Sequence, residues 1–140
     1  ADGLAAAGIE VELLGMVSDV HAGGCLCGAV RFEVRGPAKW TAYCHCNSCR
    51  KHTGAPVSAF AGFERAQVSF TSGQLQTFAS SPGVKRGFCA ACGSTLTYEG
   101  DRWPTEIHFH VGAFDMPQDF PPAGHAFAEE RLPWLHITEI

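Results

Sequence analysis

"CLCGAVRFEV", Cys25 to Val34, carries two signals in ten residues. Val30, Phe32 and Val34 alternate with Arg31, Glu33 and Arg35, the period-two pattern of a strand with one wet face. Just before them, Cys25 and Cys27 are spaced so that, on an extended segment, both thiols share one side. Such a pair is half of a metal site. The stretch therefore predicts a β-strand fastened at its start to a metal, and Gly36-Pro37 ends it.

The same pattern recurs outward along the chain. "WTAYCHC" reads as a strand running into a second cysteine group, and "SCRKHTG" as a turn or single helical turn closed by Gly54. "PVSAFAGF" is another strand, followed by the short connector "ERAQ". "VSFTSG" and "LQTFASS" form a hairpin-like unit around Gly73. "VKRGFCAACGSTLTYEG" gives two strands joined by a Cys-bearing turn. "TEIHFHVGAFD" puts Ile107, Phe109 and Val111 on one face and His108 and His110 on the other. The tail, "PPAGHAFAEERLPWLHI", is an aromatic loop laid over the sheet. No segment holds a long apolar 3.6-residue repeat, so the fold class is all-β.

The 140 residues suffice for one domain with its own core. With 46% apolar and 17% charged residues, the composition argues against extended disorder. A net charge of −4 withholds the basic footprint that nucleic acid requires. No apolar run approaches the roughly 20 residues of a membrane span. Residues 1–22 lack a basic n-region and carry Asp2, Glu10 and Glu12, a poor match to a signal peptide. They read as an N-terminal leader, disordered or vector-derived, ahead of a zinc-binding domain over 23–140.

Seven cysteines in a chain without an export signal favour metal binding over disulfides, and a cytoplasmic location. They fall into Cys25-x-Cys27, Cys44-x-Cys46-x-x-Cys49 and Cys89-x-x-Cys92. Seven thiolates divide as four plus three. One partition joins the C-x-x-C pairs Cys46/Cys49 and Cys89/Cys92. The other keeps Cys44, Cys46 and Cys49 together and joins Cys25 and Cys27 to Cys89 and Cys92. Spacing leaves both open.

The motifs "GGCLCGAVRF", "CHCNSCRKHTG", "SGQLQTF", "FCAACGSTLTY" and "ERLPWLHI", in this order, resemble the glutathione-dependent formaldehyde-activating enzyme family, which also includes centromere protein V. The likeness runs from about Gly23 to the C-terminus. It implies a β-tent of the Mss4-like type with two zinc ions per chain. It also implies that Cys25, Cys27, Cys89 and Cys92 hold a closed structural zinc, while Cys44, Cys46 and Cys49 hold a second with an open position. The implied activity is that of a carbon–sulfur lyase, an S-(hydroxymethyl)glutathione synthase with glutathione as co-substrate.

The chemistry of three thiolates agrees with this. Zn²⁺ with three S⁻ is a poor Lewis acid toward water and favours a soft external thiol, which it deprotonates. The partners expected are thus a small-molecule thiol and an aldehyde, with neither nucleic acid nor membrane. The competing functions are a non-catalytic zinc scaffold or binding module, and an enzyme of the same chemistry acting on another thiol or aldehyde.

Around the triplet, His52 is a candidate proton donor to the developing hemithioacetal oxygen. Arg50 and Lys51 are candidates to pair with glutathione carboxylates, as are Lys85 and Arg86, against the ordinary reading of solvated surface charges. His45 reads as packing behind the ligands. His108 and His110 read as a partly exposed pair on a sheet face, and His125 as a loop residue. Trp40, Phe60, Phe63, Phe88, Trp103 and Trp134 are core or pocket walls.

Overall fold

The computed structural model describes residues 19–138. Ten strands and one short helix follow in the order β1 (Val20–Gly24), β2 (Arg31–Arg35), β3 (Trp40–Cys44), α1 (Asn47–Thr53), β4 (Ser58–Glu64), β5 (Val68–Ser72), β6 (Gln76–Ser81), β7 (Val84–Phe88), β8 (Thr95–Gly100), β9 (Glu106–His110) and β10 (His125–Ala126). The remaining helical pieces among the described residues are three-residue 3₁₀ turns. The all-β reading is therefore met. None of the described helices is long and apolar enough to cross a membrane.

Two sheets form. The smaller has the order β1-β2-β5 and the larger β10-β3-β4-β9-β8-β7-β6, every pairing antiparallel except that of β10 with β3. The strand over Val30–Val34 is present as β2, with Phe32 and Val34 fully buried. Cys25 and Cys27 are not on an extended segment, however. They sit in the turn between β1 and β2, where Gly28 N–H donates to the Cys25 carbonyl.

The hairpin around Gly73 does not form. β5 pairs with β2 in the small sheet, whereas β6 pairs with β7 in the large one. The chain crosses between sheets at this glycine. Both segments look like strands locally, and adjacency in sequence does not choose the partner. The tight hairpin lies one connection later, at Pro82-Gly83 between β6 and β7.

Residues 1–18 of the expected leader lie outside the described residues, and residues 20–22 belong to β1.

Cross-strand partners share a face of the sheet. Ala61 opposes Phe109 and Phe63 opposes Ile107, and all four turn toward the small sheet. There Phe32 stacks on Phe109 at 4.2 Å and meets Phe114 edge-on at 5.2 Å. Each fully buried Phe contributes about 1.5–3 kcal/mol of transfer free energy. The alternate residues turn the other way: Phe60 opposes His110, and Arg86, Tyr98 and His108 lie side by side across β7, β8 and β9. This second face carries the site.

His108 and His110 do share that face, but neither is partly exposed, at 4% and 9% of full accessibility. Trp40, Tyr98 and Trp103 surround His108, and Phe60 lies against His110.

A candidate four-thiol metal centre and a cysteine-lined cavity

Cys25 and Cys27 come from the β1–β2 turn, Cys89 and Cys92 from the turn joining β7 to β8. The four sulfurs all lie within 4.8 Å of one another. Cys25 Sγ is 3.6 Å from Cys27 Sγ, which is 3.8 Å from Cys89 Sγ. Four sulfurs about 2.3 Å from a tetrahedral zinc are separated by about 3.8 Å, so the group fits that ion. Val30 N–H donates to Cys25 Sγ at 3.2 Å. Hydrogen bonds from Ser94 hold the Cys92 thiol down to about 5. Such a crosslink would pin the small sheet to the β7–β8 hairpin of the large one.

The second group is built differently. Cys44 ends β3, Cys46 caps α1, and Cys49 sits in the first turn of the helix. Gly54 closes α1 in the left-handed conformation (φ 76°), which lets so short a helix stop cleanly. Cys44 Sγ donates to Cys49 Sγ at 3.7 Å, again the edge of a thiolate tetrahedron. Cys46 does not complete a group of three sulfurs within 4.8 Å; among the described residues only the four-thiol centre is that tight.

Arg86 reaches this pair from β7. It is 2% exposed and donates to Cys49 Sγ at 3.5 Å, Ser48 Oγ at 3.1 Å and Ser80 Oγ at 3.1 Å. The hydrogen bond from Cys44, then the Arg86 hydrogen bond and charge, hold the Cys49 thiol down to about 6 against the effect of burial. Cys44, the donor in the pair, is pushed up.

Cys44, Cys46 and Cys49 open onto a cavity of about 600 Å³. Its walls are aromatic, from Trp40, Phe60, Tyr98, Trp103 and Phe127, and Arg86, Arg102 and His108 are its basic groups. That is the size and character of a small-molecule site.

The predicted site residues divide. Arg50 spends its guanidinium on the carbonyls of His45 and Glu130, tying α1 to the C-terminal segment. Lys51 is exposed on a separate groove with Trp134, and Lys85 is exposed on another. None of the three lines the cavity, whereas Arg86 does. His52 Nε2 lies 2.9 Å from Thr95 Oγ1, and its ring also stays out of the cavity wall. His45 is fully buried and meets His125 Nδ1 at 3.0 Å.

Sequence reasoning passed over Tyr98, Arg102 and Glu106. Glu106 Oε1 accepts from His108 Nε2 at 2.9 Å and from Trp40 Nε1 at 3.2 Å, while Lys39 Nζ binds Oε2 at 2.9 Å. The available signal was the strand alternation around His108, which becomes informative only once the β8–β9 register is known.

Comparison with known proteins agrees with this architecture. The profile of the family described as "Glutathione-dependent formaldehyde-activating enzyme" matches residues 20–130. A Halomonas elongata protein named "Putative glutathione-dependent formaldehyde-activating enzyme" is 33% identical over 125 residues, covering 82% of this chain and 79% of its own. A Schizosaccharomyces pombe protein named as an uncharacterized lyase is 32% identical over 78 residues, 56% of each chain. The crystal structure of a Rhodobacter sphaeroides protein superposes with a TM-score of 0.62 at 22% identity, over 75% of this chain and 99% of that one, a likeness of fold.

Proposed function

The chain belongs to the glutathione-dependent formaldehyde-activating enzyme family, and we propose that its cysteine-lined cavity binds glutathione and adds the glutathione thiol to formaldehyde. The observation that carries this is the Cys44–Cys49 pair, 3.7 Å apart, held by Arg86 at the wall of an aromatic cavity of about 600 Å³. In reverse the reaction is carbon–sulfur lysis.

Two zinc ions belong to this reading. Cys25, Cys27, Cys89 and Cys92 would hold a structural ion, and Cys44, Cys46 and Cys49 a second. At the second site a zinc ion would supply a positive centre that favours an external thiol in its ionised form.

The chain's own side chains do the rest. The hydrogen bond from Cys44, and then Arg86, favour the ionised Cys49, and Arg86 holds it in place. The aromatic walls exclude water and strengthen the interactions inside. Arg102, over the Trp103 ring at 5.1 Å, offers its guanidinium to a glutathione carboxylate. The sulfur attacks the formaldehyde carbon, a C–S bond forms, and the C=O π pair passes to oxygen. Protonation of that oxygen gives S-hydroxymethylglutathione.

Exchange NMR of glutathione with formaldehyde tests this, with the uncatalysed rate subtracted. Wild type should accelerate exchange, and Cys49→Ser should return it to near background with circular dichroism unchanged. Equal rates in the two folded proteins would defeat catalysis at these cysteines and leave the binding-module reading in possession.

A further inference from the structure

Among the described residues His108 is the one imidazole that lines the cavity. It is 4% exposed and boxed by three rings: Trp40 edge-on at 4.6 Å, Tyr98 stacked at 5.6 Å and Trp103 at 5.3 Å. Its Nε2 is 2.9 Å from Glu106 Oε1. An ionised carboxylate only accepts, so Nε2 carries the hydrogen and Nδ1 is left as a bare lone pair. Among the described residues the bond to Glu106 is the one hydrogen bond the ring makes.

Glu106 is itself over-determined. Burial pushes its carboxyl up, but hydrogen bonds from Lys39, His108 and Trp40 outweigh this and hold it at about 2. A buried carboxylate is costly unless paired, and this one is paired on both oxygens. The arrangement fixes one tautomer of the imidazole and provides a counter-charge for the imidazolium.

We infer that His108 is the proton carrier of the cavity: Nδ1 takes the proton from the incoming thiol and returns it to the oxygen of the hydroxymethyl product. The inference rests on the function proposed above. The balance is complete without a co-reactant. The S–H bond breaks to Nδ1, the C–S bond forms, the C=O π pair becomes an alkoxide, and Nδ1–H protonates it. His108 ends as it began, with Glu106 stabilising the transient cation.

The resting ring must be neutral for this. Burial lowers its proton affinity, Glu106 raises it, and the charges of Arg65 and Lys39 lower it. The other titratable or charged groups facing this corner are Tyr98, with Arg86 over its ring at 5.1 Å, Arg102 beside Trp103, and Glu64 through Lys39.

The test is the pH dependence of glutathione–formaldehyde exchange in wild type, His108→Gln and Glu106→Gln. Wild type should lose activity at low pH as the imidazole protonates. His108→Gln should lower kcat by about 10²-fold with KM little changed, and abolish that acidic limb. Glu106→Gln keeps the imidazole and should move the limb to lower pH. It also serves if His108→Gln fails to fold. Long-range ¹H–¹⁵N spectra of the wild type should show an Nε2–H tautomer.

An active wild type with unchanged kcat and pH profile in folded His108→Gln overturns the inference alone, as does an Nδ1–H tautomer. A wild type without exchange above background overturns the function with it.

Discussion

Arg86 donates a hydrogen bond to Cys49 Sγ across 3.5 Å, though 37 residues separate them in the chain. One buried cation thus joins the β7 strand to the helix that carries the thiols, and both serine hydroxyls beside it are its acceptors. Replacing Arg86 with Met should cost about 1–3 kcal/mol, because the Cys49 thiol is left buried without its donor. Urea denaturation measures that loss, and exchange NMR should show slower thiol addition.

The two cysteine groups should behave differently when broken. Cys89→Ser removes a 1% exposed thiol of the four-thiol cluster between the two sheets, so the cooperative thermal transition should be lost along with the zinc proposed there. Cys49→Ser should leave the transition in place and, if the proposed second zinc is held there, lower zinc content by one ion per chain. Metal analysis together with calorimetry checks both.

Gly62 lies directly beneath the Trp40 indole, where a Cβ would collide with the ring. Gly62→Ala should therefore displace Trp40 from Glu106 and from the cavity wall. The expected cost is about 1–3 kcal/mol, as for an overpacked core, with an altered tryptophan emission.

Stability should fall in mild acid through His110. Burial, then the charges of His52 and Arg86, push its imidazole down to about 4 from 6.5 in the unfolded chain. The unfolded chain takes up the proton first, so the contribution is complete above pH 6.5 and is lost as pH falls toward 4. The loss is on the order of 3 kcal/mol. His110→Phe should flatten the unfolding free energy over that window in denaturant titrations at stepped pH.

Much of this was readable along the chain. Val30, Phe32 and Val34 announce a strand with one buried face, and Cys89-x-x-Cys92 announces a metal turn, because both patterns arise among near neighbours. The hairpin imagined at Gly73 fails for the complementary reason. β5 and β6 each have strand character, but their partners, β2 and β7, are selected by the meeting of two sheets.

The site divides along the same line. Cys44, Cys46 and Cys49 are visible within six residues, as is the alternation that sets His108 apart from Phe109. Arg50 and Lys51 were attractive as neighbours of the cysteines, yet the helix turns them away from the cavity, one onto backbone carbonyls and one into solvent.

The sequence by itself determined the all-β class, the three cysteine groups and the face each strand residue takes, since alternation and thiol spacing are local geometry. The grouping of the outer cysteine pairs, left open by spacing and implied by the family resemblance, is seen in the four-thiol cluster; only the tertiary structure decided that Arg86 serves Cys49 and that Glu106 holds His108 beside Tyr98 and Trp40. Those relations depend on strand register, which brings distant residues onto one face. Register is set by how the whole core packs, not by any stretch of chain.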